Sequence, residues 1–231
     1  EKIIRDADGR VKGVQVREGY KFPDANSGKV KFICARKAVV LAHGGFGADV
    51  AFRSQQDPKL TEKVGTTCQP GATSEAWREA ARIGCHMIQT SWIQCAPWSA
   101  PTEKGMGIAL FFAQGAAAMY GVWVEDKGGN RFVNELANRK VRADAIVALG
   151  HPALLYVAEE NFRNQIPKNM TPTQIASLLD NKVVRKFDTL KEMAAYYKIP
   201  LAELEKTNAA NRRISSGSAS NAALKVSCSQ I

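Results

Sequence analysis

Hydrophobic and polar positions follow a strand-like pattern at the start of this chain. Residues 2–17 contain two β-rich runs around Asp6-Ala7-Asp8-Gly9, which predicts a β-hairpin. Val30–Cys34 alternates in part, as a half-exposed strand would. Ala38–Ala42 is a continuous apolar run of strand length, which is typical of a strand buried on both faces of a parallel sheet.

Farther along, the apolar positions recur with a helical period. Ser74–Gly84 is predicted to be a helix, because Ser74 or Thr73 can cap its start and Gly84 can end it. In the helix after Phe187, Asp188 is expected to be the cap. The remaining predictions are strands over Tyr120–Glu125 and Ala153–Ala158, and helices over Asn134–Leu149, Thr171–Asp180, Asp188–Lys198 and Pro200–Ser215.

The order of these elements is strand-rich, then mixed, then helical. It predicts an α+β chain in which the edge of one sheet domain is followed by a mixed domain, with a boundary near Gly47–Val50. Residues 216–231 are small and polar, so we expect a flexible tail or linker there.

Composition narrows the classes of function. The chain has 231 residues, 45% hydrophobic and 23% charged, with a net charge of +10. Its Lys and Arg residues are spread out without interleaved aromatics, which favours anionic substrates or cofactors over nucleic acid. No run approaches the ~18 apolar residues that span a bilayer. The five cysteines form no CxxC and the three histidines are far apart, so no metal site is expected.

The segment KAVVLAHGGFG is the sharpest local signal. A strand that ends in Gly44-Gly45 lets a ligand approach the backbone closely, because no Cβ intervenes. A plain turn after a strand remains the alternative. The dinucleotide fingerprint GxGxxG does not occur in the chain, so this segment alone does not predict a complete dinucleotide site.

Three further segments each allow two interpretations. The start of the Ser74–Gly84 helix can bind an anion or be satisfied by its own cap. In WIQCAPW, the indoles of Trp92 and Trp98 are more typical of packing than of ligand binding. In RFVNELANRK, Asn134 can cap a helix whose solvated face carries Arg139, Lys140 and Arg142, or an arginine can be held there for chemistry.

Taken in order, these segments resemble the fumarate reductase/succinate dehydrogenase flavoprotein family, in its flavocytochrome c-type branch. The resemblance covers roughly residues 10–215 and rests on five segments, which are KAVVLAHGGFG, TTCQPGATSEAWREAARIG, WIQCAPW, GGNRFVNELANRK and FDTLKEMAAYYKIPLAELEKTNAANRR. It implies a middle fragment: residues 1–48 form part of an FAD-binding domain, residues 49–215 form a substrate-closing cap domain, and 216–231 are the tail.

The resemblance implies an FAD-dependent reduction of an activated C=C bond. Arg139 falls on the arginine that protonates the substrate in this family, and it would also hold a substrate carboxylate. The implied cofactor contacts are Ala42, His43, Gly44, Gly45, Phe46 and Glu75. FAD is expected in the full-length protein rather than in this chain alone.

The implied substrate pocket departs from the family pattern. Its lining residues are expected to be Gln94, Ala96, Gln114 and Gly115. Ala96 stands where the family has a substrate-binding His, and Gln114-Gly115 stand where it has a Thr-Glu pair. A site that lacks these polar groups should bind fumarate poorly. The expected substrate is therefore another unsaturated acid or an enone.

The alternative to an enzyme is a cap-fold module that has lost flavin and binds a partner. Under the enzymatic interpretation, the resemblance implies an electron donor with a haem or flavin group. We expect a soluble bacterial protein, with the choice between periplasm and cytoplasm left open, and the composition predicts no membrane span and no nucleic-acid partner.

Overall fold

The computed structural model describes residues 1–103, 105, 107–118, 121–125, 127–158, 170–215 and 226–230. It divides into two compact units, Glu1–Ile93 and Gln94–Ile231. Within the first unit, the segment after residue 48 packs back onto the first strand through Glu79, which contacts Ile3 N. The assignment of residues 49–215 to a cap domain stays a prediction.

The first unit contains a three-stranded antiparallel sheet. Its strands are β1 (Lys2–Arg5), β2 (Val11–Glu18) and β3 (Lys29–Cys34), in the order β1-β2-β3. Gly9 has a φ of +83° in the turn between β1 and β2, and its N–H donates to Asp6 O at 3.0 Å. The predicted hairpin and the strand over Val30–Cys34 are confirmed.

The predicted buried strand over Ala38–Ala42 is wrong. These residues form no strand, and Val40 is 85% exposed. A buried parallel strand needs hydrogen-bonded neighbours on both sides. The described part of this unit offers only the antiparallel meander, so the apolar run has no strand to pair with.

Two helices complete the first unit, α1 (Val50–Gln56) and α2 (Glu75–Arg82). The sequence predicted α2 but not α1, whose start is capped by Asp49. Glu79 fixes α2 to β1, because its carboxylate accepts a hydrogen bond of 2.6 Å from Ile3 N. Gly84, at a φ of +93°, follows the end of α2 as predicted.

Arg53 is buried and organises the loop that follows α1. Its guanidinium donates to the carbonyl oxygens of Leu60 at 3.0 Å, Gly47 at 2.9 Å and Thr61 at 2.8 Å. The arginine therefore connects the end of the His-Gly-Gly-Phe-Gly turn to the chain ten or more residues later.

The second unit is a four-stranded antiparallel sheet with helices on both faces. Its sheet order is β4-β5-β7-β6. In chain order the elements are α3 (Ala109–Ala118), β4 (Val122–Glu125), α4 (Arg139–Leu149), β5 (Ala153–Ala158), α5 (Pro172–Asp180), β6 (Arg185–Phe187), α6 (Leu190–Tyr197), α7 (Leu201–Ser215) and β7 (Val226–Gln230).

The central strand β5 divides the core of this unit. Leu155 and Val157 pack into a cluster that includes Trp98 and Phe112 of α3. Leu154 and Tyr156 face the other way, toward a cluster formed by β4, α6 and α7. This alternation is what a strand buried on both faces requires, and it confirms the predicted strand.

Several predicted boundaries in this unit change. Helix α4 begins at Arg139 and not at Asn134, and α6 is capped by Thr189 and not by Asp188. The tail was expected to be flexible, but Val226–Gln230 pairs with β5 and β6 as β7. Backbone pairing needs no apolar side chains, which explains why a polar segment forms a strand. Residues 216–225 and 231 lie outside the described residues.

Helix α3 was not predicted. It contains no charged residue and only one strongly polar one, Gln114, so its sequence carries no helical alternation of polar and apolar positions. Among the residues that the structure describes, no helix is long and apolar enough to cross a membrane.

Candidate active site

Arg139 is the first residue of α4. Asn138 precedes it in an extended conformation, and its side-chain oxygen accepts a hydrogen bond of 3.0 Å from Val141 N. Asn134 is therefore not the helix cap; its side chain accepts from Leu136 N in the turn before the helix. The sequence RFVNELAN forms a turn whose end presents Arg139 at a helix N-terminus.

The turn is fixed by a two-point ion pair. Glu135 is only 4% exposed, and both oxygens of its carboxylate accept hydrogen bonds of 2.9 Å from Arg131 Nε. The hydrogen bond to Glu135 raises the pKa of Arg131 above its usual value, although partial burial opposes this. Because Arg131 and Glu135 form an ion pair with each other, neither side chain is the best candidate for contact with a substrate.

Trp98 lies beneath two arginine side chains. Its indole is 5% exposed, with Arg139 Cζ 4.9 Å and Arg142 Cζ 4.7 Å from the ring centroid. Such cation–π contacts contribute about 0.5–2 kcal/mol each, depending on how far the cation is desolvated. Trp98 Nε1 has no hydrogen-bond partner among the described residues. The packing role predicted for this indole thus includes the two guanidinium groups.

Arg142 is not on a solvated face, as one interpretation of the sequence had it. It is partly buried, and its Nη1 donates to Glu135 O at 2.9 Å. Burial, and then the positive charge of Arg139, lowers the pKa of Arg142 from its usual value. We did not predict from the sequence that Trp98, Arg139 and Arg142 come together. The available signal was the position of Trp98, two residues after the predicted pocket residue Ala96.

Arg139 itself is exposed, and within the described part of the chain its guanidinium makes no hydrogen bond or ion pair. The first turn of α4 has no acidic residue. An accessible guanidinium beside the N–H groups of a helix N-terminus is suited to bind a carboxylate.

The predicted substrate-lining residues are only partly brought to this cluster. Ala96 is exposed and is separated from Trp98 by Pro97 alone in the chain. Gln94 is exposed as well. On α3, Gly115 is buried, whereas Gln114 is exposed on the side away from the Trp98 cluster.

In the first unit, the residues around Gly44 form a cleft of about 250 Å³. Gly44 has a φ of +85°, and a Cβ at Gly44 or Gly45 would meet no atom within 4 Å. Trp77 Nε1 donates to Gly44 O at 3.2 Å and so fixes the turn. The lining residues are Leu41, His43, Gly44, Ala76, Trp77, Ala80, Cys85, His86 and Met87.

The other predicted cofactor residues have different surroundings. Ala42 is exposed next to the cleft. Phe46 packs edge-on against Trp77 and Phe52, at centroid distances of 5.5 Å and 4.8 Å, so it supports the turn. Glu75 is exposed at the start of α2, where it accepts a hydrogen bond from the Thr73 hydroxyl.

Ser74 does not cap α2 through its side chain, contrary to one of the sequence predictions. Its hydroxyl contacts the carboxylate of Asp49 and accepts a hydrogen bond of 2.7 Å from Arg78 Nε. Burial raises the pKa of the Asp49 carboxyl, but hydrogen bonds from Ser74 and Phe52 outweigh it, so the pKa is lowered. The start of α2 is thereby anchored to the residue that caps α1.

The open backbone at Gly44-Gly45 and the aromatic wall of Trp77 fit one part of a flavin cofactor. The cleft is smaller than the ~300–1,000 Å³ of pockets that enclose a drug-sized ligand. The described residues of this unit could therefore hold an edge of FAD but not the whole molecule.

A family model described as an FAD binding domain matches residues 1–215. The acrylate reductase flavoprotein subunit of Shewanella woodyi is 36% identical over 216 residues, which are 88% of this chain and 40% of that protein. The urocanate reductase of Eggerthella lenta is 28% identical over 211 residues, which are 90% of this chain and 32% of that protein. The chain thus spans well under half the length of these relatives.

Among solved structures, the chain resembles the open conformation of a flavocytochrome c3 fumarate reductase. The TM-score is 0.70 at 20% sequence identity, with 99% of this chain and 39% of that chain covered. At this identity the likeness establishes the fold alone. The fold is that of FAD-binding, fumarate reductase-type flavoproteins.

Proposed function

This chain belongs to the FAD-binding domain family and to its fumarate reductase-type flavoproteins, and on that basis we propose that it forms part of a flavin-dependent reductase of unsaturated acids. The reaction would add a hydride and a proton across an activated C=C bond. An electron-donor protein or domain, with haem or flavin, would return electrons after each turnover.

The observation that carries the proposal is the position of Arg139. It combines an accessible guanidinium, a helix N-terminus and a buried indole beneath the side chain. A substrate carboxylate would accept hydrogen bonds from this guanidinium and from the free N–H groups of the first turn. The C=C bond of such an acid lies next to the carboxylate, so binding would place the alkene close to the same arginine.

The residues around Gly44 would contact FAD, which supplies the hydride for one alkene carbon when it is bound. Trp77 would hold the Gly44-Gly45 backbone open to the cofactor through its bond to Gly44 O. His43 would line the same cleft.

Arg139 would then donate a proton to the other alkene carbon. Guanidinium groups rarely lose a proton, so this step needs surroundings that disfavour the cation. Because the side chain of Arg139 is exposed, water can return the proton afterwards.

The site favours a substrate with a single carboxylate. Ala96 has no polar side chain and Gly115 has no side chain at all, at two of the three positions where the resemblance puts polar groups of the substrate pocket; the third is Gln114. The names of the acrylate and urocanate reductases, both of which act on monocarboxylic acids, support the same preference.

A turnover assay tests the proposal. The full-length protein, loaded with flavin, is supplied with a reduced dye and, in separate reactions, with acrylate, urocanate and fumarate. We expect oxidation of the dye with a monocarboxylic acid and slow or no oxidation with fumarate. Fast turnover of fumarate would contradict the proposed specificity. A full-length protein that binds no flavin would favour the non-catalytic module instead.

A further inference from the structure

Trp98 contacts the guanidinium groups of both Arg139 and Arg142. The proposed reduction gives no role to Trp98 or to Arg142. Both guanidinium groups lie over the same indole, at 4.9 Å for Arg139 and 4.7 Å for Arg142. Two cations over one ring repel each other, and their attraction to the indole offsets part of that repulsion.

Arg142 is the fixed member of the pair. It is partly buried, and its Nη1 donates to Glu135 O at 2.9 Å. Glu135 is in turn buried and fixed by its two-point contact with Arg131. The turn before α4 therefore sets the position of the Arg142 guanidinium.

Arg139 is the adjustable member. Its guanidinium is exposed and, among the described residues, is restrained by the indole of Trp98 without any hydrogen bond. An aromatic face restrains a cation in distance while leaving its N–H groups free to donate. Such a restraint suits a group that must bind an anion and then donate a proton.

We propose that Trp98 and Arg142 are positioning residues that act on Arg139, the indole by holding its guanidinium and Arg142 by placing a second positive charge beside the substrate carboxylate that Arg139 binds. This inference rests on the proposed function, because it assumes that Arg139 binds the carboxylate of the substrate.

The repulsion between the two guanidinium groups is mutual. The positive charge of Arg139 contributes to the lowered pKa of Arg142, so the two guanidinium groups interact. The same repulsion acts on Arg139. An arriving carboxylate relieves it, which strengthens the binding of an anion over that of a neutral analogue.

The first test observes Arg139 without flavin or turnover. In the full chain with ¹⁵N-labelled arginine, the indole ring current should displace the Arg139 Nε–H proton resonance upfield. Trp98→Leu should remove the displacement, Trp98→Phe should keep part of it, and Trp92→Phe, at an exposed indole, should leave it unchanged. Titration with propionate, a carboxylate that cannot be reduced, should move the resonance.

Arg142→Gln should weaken the binding of propionate about tenfold, and Arg142→Lys should restore most of it. Lys140→Gln is the matched control, because Lys140 lies on the same helix and pairs with Asp144 at 2.7 Å. Thermal unfolding checks that each variant is folded. Arg142 is not in the core, so its variants give an answer even if Trp98→Leu does not fold.

The second test separates the two proposals. In the flavin-loaded protein, Arg142→Gln should lower kcat about ten- to a hundredfold, with rescue by Arg142→Lys. The wild-type protein could reduce no unsaturated acid while the Arg139 resonance and the propionate binding respond as expected. In that case the proposed function fails and the positioning role of Trp98 and Arg142 stands. If the wild-type protein is active and neither Arg142→Gln nor Trp98→Leu changes kcat or the Arg139 resonance, the positioning role is overturned.

Discussion

Arg131 and Glu135 form an ion pair in which one side chain is half exposed and the other is almost fully buried. Arg131 Nε lies 2.9 Å from both oxygens of the Glu135 carboxylate, and the pair joins β4 and the turn before α4. The backbone oxygen of Glu135 also accepts a hydrogen bond from Arg142 Nη1, so the ion pair supports the turn that fixes Arg142 in the candidate active site.

Arg131→Met should therefore destabilise the second unit strongly. The substitution removes the cation that faces a buried carboxylate, and we expect a loss of roughly 2–4 kcal/mol in the free energy of unfolding. Lys140→Met removes one partner of an exposed pair on α4 and should cost less than about 0.5 kcal/mol. Urea unfolding measures both. Equal effects of the two variants would show that burial of Glu135 does not matter.

Glu79 should make the stability of the first unit depend on acid pH. Hydrogen bonds from Arg82, with a further one from Ile3 N, lower the pKa of its carboxyl to about 2 from an ordinary value of 4.5, although burial opposes the shift. The folded-state pKa is depressed, so the stabilisation is complete above pH 4.5 and is lost as the pH falls toward 2.

The midpoint of thermal unfolding should accordingly drop over that interval in the wild-type chain. Glu79→Gln should have a lower midpoint at neutral pH and a flatter pH dependence between 4.5 and 2. Glu62→Gln, at an exposed carboxyl in the same unit, serves as the control. A wild-type pH dependence that persists in Glu79→Gln would assign the effect to other groups.

Gly129 and Gly150 offer a matched pair of glycine substitutions in the second unit. Their φ values are +72° and +71°, so alanine is strained equally at both. A Cβ at Gly129 would also lie 2.8 Å from Ile199 Cγ2, whereas at Gly150 it would meet open space. We expect a loss of about 1 kcal/mol for Gly150→Ala and roughly 2–4 kcal/mol for Gly129→Ala, measured by urea unfolding. Similar losses would mean that the Ile199 contact relaxes without cost.

Ala96→His should shift the substrate preference toward fumarate. The new imidazole would stand two residues before Trp98 in the chain and would offer a donor to a second carboxylate. One hydrogen bond to a charged group contributes about 1.5–3 kcal/mol, so kcat/KM for fumarate relative to acrylate should rise by about ten- to a hundredfold. Ala96→Leu, which adds bulk without a hydrogen-bond donor, is the control. An unchanged ratio would place the second carboxylate elsewhere.

Much of this fold follows from local sequence signals. The hairpin around Gly9, the buried strand β5 and the capped helix α5 were all predicted, because turn residues, apolar runs and caps act over a few neighbouring residues. The run Ala38–Ala42 was misassigned for a physical reason. Its composition is that of a buried strand, but a strand also needs partners, and partners are set by contacts distant in sequence.

The candidate site was predictable only in part. The motif RFVNELANR singled out Arg139, because an arginine after an Asn-Glu pair resembles a known pattern. Trp98 and Arg142 were not predicted to belong to the site. Their positions beside Arg139 depend on contacts of Trp98 with residues 41 and 44 positions away in the chain. The cap at Asn138 rather than Asn134 was also missed, because both asparagines satisfy the sequence rule equally well.

The most direct test of the account is a single-turnover experiment on Arg139. The full-length protein, loaded with flavin, is reduced under anaerobic conditions and mixed with acrylate, and reoxidation of the flavin is followed by its absorbance. We predict that the wild-type protein is reoxidised, and that Arg139→Gln keeps its flavin but is reoxidised at least about a hundredfold more slowly, as expected when a general acid is lost. Reoxidation of Arg139→Gln at the wild-type rate would contradict the assignment of the proton donor.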